Sequence, residues 1–131
     1  METPDMIIAM LVWFEVKHFV ADYLLQPHWV LKGKGSVRRF GGYAHAGIHA
    51  VASIPAYLIA GLGASAIGAL VLAEFVIHYT IDFAKCGVSA RSHAGPNAAA
   101  YWALHGADQM LHQLTYAGLI YVALKLAGVG G

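Results

Sequence analysis

Glu74-Phe-Val-Ile-His78-Tyr-Thr-Ile-Asp82 is the stretch that decides the fold of this chain, and Lys85 follows it closely. The stretch places three side chains that can bind a metal four residues apart within an otherwise apolar run. Residues four apart lie on one face of a helix, so the spacing predicts a helix with one polar face. Three other apolar segments carry a similar pair of polar residues: His18 with Asp22, His45 with His49, and Asp108 with His112.

The composition indicates a membrane protein. The 131 residues have room for one domain, yet 59% are hydrophobic, only 11% are charged, and the mean hydropathy is +0.60. A soluble domain has about 25% charged residues. We therefore expect residues 1–131 to form a single integral-membrane domain.

The charge argues against nucleic-acid binding, and the cysteine content excludes a disulfide or a cysteine-pair metal site. The net charge is +1 and the basic residues are scattered, which is not the pattern that follows a phosphate backbone. We therefore expect no nucleic-acid partner. Cys86 is the single cysteine, so the chain has neither an internal disulfide nor a metal site built on a cysteine pair.

Four apolar segments approach the ~20 residues that a helix needs to cross a ~30 Å hydrocarbon layer. The predicted fold class is therefore all-α, a four-helix transmembrane bundle with an intramembrane His/Asp/Glu cluster. Pro55 lies inside the second segment, where we expect a kink. The predicted transmembrane helices lie near 6–30, 43–62, 65–86 and 98–126.

Basic residues predict the orientation of these segments. They occur in the first and third connections, whereas the N-terminus is acidic and the second turn is uncharged. The positive-inside rule then places the first and third connections in the cytoplasm and both termini outside. This multi-pass threading through the cytoplasmic membrane brings all four polar pairs to the cytoplasmic leaflet. The basic residues concerned are Lys32, Lys34, Arg38, Arg39, Lys85 and Arg91.

The convergence of polar pairs predicts a metal site. An ionisable side chain at the bilayer centre costs ~2.5–3.5 kcal/mol on insertion scales, so such residues face the bundle interior and need partners. Imidazoles and carboxylates without a thiolate are typical of catalytic zinc, although iron and manganese also suit them. The expected cofactor is a divalent transition metal, with zinc preferred. The predicted ligands are His18, Asp22, His49, Glu74, His78, Asp82, Asp108 and His112.

The leading functional hypothesis is a metal-dependent hydrolase that acts on a lipid or another amphipathic substrate at the cytoplasmic leaflet. A bound zinc ion would activate water and polarise the scissile group. Glu74 is the candidate general base, and Lys85 or Arg38 would hold a substrate phosphate. Membrane lipid is the expected partner.

Three alternatives remain open at the level of sequence. The first is a metal-free structural membrane subunit, in which carboxylate–histidine and Lys85–Asp82 pairs hold the bundle together. The second is a protein that transports or senses a divalent cation or protons. Four helices are few for alternating access, so transport would require a homo-oligomer. The third is ligation of haem between histidines of facing helices.

The same residues carry a family resemblance. The chain resembles a family of small bacterial and phage integral-membrane proteins known only as a domain of unknown function. This resemblance implies a shared fold, a shared polar site and a bacterial inner-membrane location, but no reaction. The matching motifs are Lys17-His18-Phe-Val-Ala-Asp22, His45-x3-His49, Glu74-x3-His78-x3-Asp82 and Asp108-Gln109-x2-His112.

Overall fold

The computed structural model describes residues 1–129, and all regular secondary structure in that part of the chain is helical. The all-α prediction is therefore confirmed. The elements, in chain order, are α1 (Thr3–Phe19), a π-helical turn (Val20–Leu24), α2 (His28–Gly33), α3 (Phe40–Ala52), α4 (Ile54–Ile59), α5 (Ala64–Ser92) and α6 (Ala99–Leu126).

The segment predicted as one helix near 6–30 is divided. After α1, the Leu25 amide donates to the carbonyl of Val20, which closes the π-helical turn. The chain then leaves the helix and Pro27, with extended backbone, caps the start of α2. A proline has no amide hydrogen and disfavours helical geometry in the residue before it, so the helix ends ahead of Pro27.

The kink expected at Pro55 is a break between α3 and α4. It falls at Ser53, whose hydroxyl donates to the His49 carbonyl at 3.2 Å. Pro55 lies in the first turn of α4, where its missing amide hydrogen costs nothing. Helix α5 runs further than the predicted 65–86 and ends where His93 adopts a left-handed conformation, with φ of 48°.

The bundle has an apolar half and a polar half. Helix α5 packs against α3 and α6, while α1 packs against α4 and α6. In the apolar half the ring of Phe14 stacks on that of Tyr116 at 4.9 Å and meets Tyr57 edge-on at 6.0 Å. The remaining buried residues there are aliphatic: Met10, Ala56, Ala60, Leu62, Leu70, Leu119, Ile120 and Ala123.

Polar side chains are buried inside the polar half of the bundle, while many large apolar side chains face outward. Leu72 is 64% exposed, and Val12 of α1 and Leu114 of α6 are exposed to a similar degree. Among the described residues, α5 is the one helix that is long and apolar enough to cross a membrane, judged by length and composition. The buried polar residues are Lys17, His18, His45, His49, Ser53, Glu74, His78, Asp82, Asp108 and His112.

A glycine contact between α2 and α3 positions the connection between them, residues 34–39, which carries Lys34, Arg38 and Arg39. A Cβ atom at Gly41 would lie 2.6 Å from the Trp29 carbonyl oxygen and 2.8 Å from that of Val30. The two helices can therefore approach backbone to backbone. The connection between them rests on α5, because a Cβ at Gly35 would lie 3.1 Å from the Cβ of Cys86.

We expect Gly41→Ala to destabilise the protein by about 1–3 kcal/mol, because the added methyl group must push two backbones apart. The matched control is Gly68→Ala, at an exposed position inside α5 where a Cβ meets no atom within 4 Å. Alanine there should be neutral or add up to roughly 1 kcal/mol through helix propensity. Thermal unfolding in detergent measures both, and equal midpoints for the two variants would contradict the close-packing account.

Candidate metal centre

Four segments each bring a pair of polar side chains to the middle of the polar half. Because each pair is spaced by four residues, both members leave their helix on the same side. The imidazole rings form a continuous cluster, with ring centres 3.9 Å apart for His49 and His78 and 4.3 Å apart for His78 and His112. The pairs are His18 with Asp22, His45 with His49, His78 with Asp82, and Asp108 with His112.

The first group that could hold a metal consists of Asp22, His45, His49 and His78, and their candidate ligand atoms all lie within 4.8 Å of one another. The Asp22 Oδ1 atom is 3.0 Å from His49 Nε2 and 3.1 Å from His45 Nε2. One carboxylate oxygen therefore faces two imidazole nitrogens. The three histidines are buried, and Asp22 is partly exposed.

The second group consists of His78, Asp82 and His112, so His78 belongs to both. Oxygens of Asp82 lie 3.6 Å from His78 Nε2 and 3.7 Å from His112 Nε2. These separations are longer than hydrogen bonds. They are close to the ~3.3 Å that separates two ligands of a tetrahedral zinc ion bound at ~2.0 Å.

Buried ring nitrogens without a hydrogen bond mark residues that could hold a metal. Both nitrogens of His78 and Nε2 of His112 are buried and have no hydrogen-bond partner among the described residues. In His112, Nδ1 lies 2.8 Å from the backbone carbonyl oxygen of Asp108, so Nδ1 carries the proton and Nε2 keeps its lone pair. A buried polar atom left unpaired costs about 1–3 kcal/mol, and coordination to a cation would remove that cost.

His18 lies outside both groups. Its Nδ1 atom is 2.7 Å from the Tyr116 hydroxyl, and its Nε2 atom is 3.1 Å from both Gln109 Oε1 and Asp22 Oδ2. With both nitrogens engaged, His18 orients Asp22 and Tyr116 instead of presenting a free lone pair. The expected role of His18 as a ligand stays a prediction.

Glu74 also lies outside both groups, in contrast to its expected roles as ligand and general base. It forms a fully buried ion pair with Lys17, and its second oxygen accepts a hydrogen bond from the Tyr57 hydroxyl at 3.2 Å. The Lys17 ammonium group also donates to the His49 carbonyl at 2.9 Å and lies 4.6 Å from the centre of the Tyr116 ring. Glu74 therefore joins the metal centre to the apolar half.

A polar cavity of about 230 Å³ opens beside the two groups. The Lys34 ammonium lies 3.0 Å from Asp82 Oδ2, and the Lys85 ammonium lies 2.8 Å from Asp108 Oδ2. The Oδ1 atom of Asp108 is buried without a hydrogen-bond partner. The residues around the cavity are Asp22, Tyr23, Gln26, Leu31, Lys34, Asp82, Lys85, Cys86, His105, Asp108 and Gln109.

Two site residues differ from those that the sequence singles out. His45 joins the first group although it is not among the predicted ligands; its four-residue spacing from His49 is the signal that identifies it. Lys34 pairs with Asp82, and no periodic pattern marks it because it lies in a connection. Arg38, the alternative phosphate-binding residue, is exposed and does not line the polar cavity.

We expect Glu74→Leu to destabilise the protein by about 3–5 kcal/mol, because it leaves the Lys17 ammonium buried without its partner. The double variant Lys17→Met, Glu74→Leu should recover much of that loss. Thermal unfolding in detergent gives the stabilities, and elemental mass spectrometry gives the metal content of the folded double variant. If the double variant is stable but contains no metal, Glu74 is a metal ligand, as the sequence predicted.

Comparison with known proteins identifies the family. Residues 10–128 match the family described as protein of unknown function (DUF3307), and the chain belongs to that family. All residues of both groups lie inside the matched range. Neither a curated protein nor a solved structure matches the chain.

Proposed function

We propose that this protein is a multi-pass membrane hydrolase that uses a divalent transition metal to cleave a lipid or another amphipathic substrate. The observation that carries the proposal is the position of His78. Its two ring nitrogens are buried and unpaired, and it belongs to both groups of candidate ligands. A cation bound between these groups would take the lone pair of one His78 nitrogen and offset the charge of Asp22 and Asp82 together.

The exposure of apolar side chains supports a membrane location. In the most apolar 18-residue stretch of α5, only 17% of the residues are buried, whereas the core helix of a soluble protein would be mostly buried. Helix α1 is 17 residues long and continues into the π-helical turn, and α6 buries Asp108, His112 and Tyr116 along one side. We propose that α1, the α3–α4 pair, α5 and α6 all cross the membrane. The interior polar residues then avoid the cost of contact with lipid.

The basic residues support an orientation with the cavity on the cytoplasmic side. The connection that contains Lys34, Arg38 and Arg39 packs near Cys86, towards the same end of α5 that carries Arg91. Positive residues gather in cytoplasmic connections. The cavity lies at that end of the bundle, within reach of headgroups in the cytoplasmic leaflet.

The donor set favours zinc, with manganese or iron as other candidates, because it combines imidazoles and carboxylates without a thiolate. When bound, such a metal supplies an activated water and polarises the bond to be broken. The side chains of Asp22, His45, His49, His78, Asp82 and His112 would hold it.

Residues around the cavity would perform the remaining steps. Asp108 lines the polar cavity and its Oδ1 atom makes no hydrogen bond within the described residues, so it is the candidate to accept a proton from the attacking water. The Lys85 ammonium fixes the other oxygen of Asp108 at 2.8 Å. Lys34 and Lys85 line the cavity and would attract an anionic group of the substrate.

The apolar half favours hydrolysis over transport. Beyond the metal centre, Phe14, Tyr57 and Tyr116 pack together and are almost fully buried. A cation that crossed the membrane through one bundle would have to displace this packing. The site thus has access from one side, which suits a reaction at one leaflet.

Protein purified in detergent without a metal-affinity step should contain about one or two equivalents of a transition metal, as two overlapping ligand groups allow. His78→Ala should lose that metal, because it removes the ligand common to both groups. The matched control is His28→Ala, an exposed histidine outside the site, which should keep the metal. Elemental mass spectrometry measures all three proteins. If none binds metal even after reconstitution with zinc, iron and manganese, a metal-free polar core becomes the better account.

The metal-loaded protein should hydrolyse a phosphoester amphiphile, and removal of the metal by a chelator should abolish turnover. Asp108→Asn should reduce turnover by about 100-fold or more while the metal is retained, which is the usual contribution of a general base. Release of the headgroup from mixed micelles measures the rate. Movement of zinc across proteoliposomes without any turnover would support the transport alternative instead.

A further inference from the structure

A second, apolar groove of about 280 Å³ lies between α5 and α6. Among the described residues that line it, the polar side-chain groups are the Thr80 hydroxyl, which donates to the Val76 carbonyl, and the Lys85–Asp108 pair. Its lining is Thr80, Ile81, Ala84, Lys85, Val88, Leu104, Ala107, Asp108 and Leu111.

The groove meets the polar cavity at one ion pair. Lys85 and Asp108 line both spaces, and their side chains are 32% and 3% exposed. On one side of this pair the surroundings are apolar. On the other side are the ammonium group of Lys34 and the two candidate metal groups.

The two spaces differ in charge as well as polarity. Three carboxylates surround the polar cavity, and the two lysine ammonium groups offset two of them. One bound divalent cation makes the total positive, so the loaded cavity attracts an anion. The groove beside it is mostly apolar and suits a hydrocarbon chain.

We infer that the two spaces form one binding site for an amphiphile with a phosphate headgroup, whose phosphate lies between Lys34 and Lys85 and whose hydrocarbon chain lies in the α5–α6 groove. The inference rests on the proposed function and names its substrate class. Lys85 stands at the junction, where its ammonium group can contact phosphate while its methylene groups follow the chain. The scissile phosphoester bond is thereby held beside Asp82 and Asp108.

The test uses the full-length protein in a neutral maltoside detergent and two photoreactive probes. One probe is dodecyl phosphate with a diazirine near the chain end, and the other is dodecanol with the same diazirine. Peptide mapping by mass spectrometry locates the cross-links. The phosphate probe should label residues within 80–88 and 104–111, at a higher level than the alcohol probe.

Two matched pairs of variants separate the chain from the headgroup. Ala107→Trp fills the groove and should reduce labelling there to background, whereas Ala117→Trp, exposed on another face of α6, should not. Lys34→Gln should reduce labelling by the phosphate probe about tenfold, the loss expected for one charge-assisted hydrogen bond. Lys32→Gln, an exposed lysine outside the cavity, should leave it unchanged. Ala84→Trp replaces Ala107→Trp if the latter does not fold.

Labelling that is spread evenly over the apolar surface, or is unaffected by either tryptophan variant, would overturn the inference. Equal labelling by the two probes would overturn the headgroup part of it. Metal content is measured on the same samples. Metal bound without groove labelling would refute the inference alone. Groove labelling without any bound metal would refute the proposed hydrolase and the headgroup part of the inference, and would leave only the apolar groove as a binding site for the chain.

Discussion

Charged side chains buried among apolar helices must find partners, and this constraint governs how the bundle packs. Lys17 and Glu74 have almost no exposed surface, so each depends on the other and on the helices that hold them in register. Through Lys17 the ion pair also contacts the His49 backbone, and through Tyr57 it reaches α4. A displacement of α1 against α5 would leave a charge without water or counter-charge, which costs several kcal/mol. The His/Asp groups that could hold a metal lie next to this fixed point.

Much of the site could be predicted from residue spacing. A pair four residues apart on a helix must share a face, so the pairs in α3, α5 and α6 could be recognised without coordinates. Their convergence followed from threading apolar segments alternately, since each pair lies towards the same end of its segment. His49, His78, Asp82 and His112 lie together as this reasoning predicts. His45 carries the same four-residue signal as His49 but was not among the predicted ligands.

Partners that lie far apart in the sequence could not be predicted in this way. The spacing of Glu74 from His78 suggested a metal ligand, but Glu74 forms an ion pair with Lys17. Lys17 lies on another helix, so no spacing along the sequence marks it as the partner. The same applies to Lys34, which reaches Asp82 from a connection whose position depends on backbone contact at Gly41. The first apolar segment forms two helices separated by a π-helical turn and Pro27, although its apolar pattern is otherwise continuous. In each case a tertiary contact or a local break overrides the pattern of one segment.

The π-helical turn at Val20–Leu24 holds one residue more than an α-helical turn of the same span. His18 precedes the turn and Asp22 lies within it, so the surplus residue changes the angle between these two side chains. The Asp22 carboxylate therefore reaches His45 and His49 because of the π-helical turn that contains it. In evolutionary terms, gain or loss of a single codon in this turn would change where the Asp22 carboxylate points relative to His18, and with it the groups that face His45 and His49.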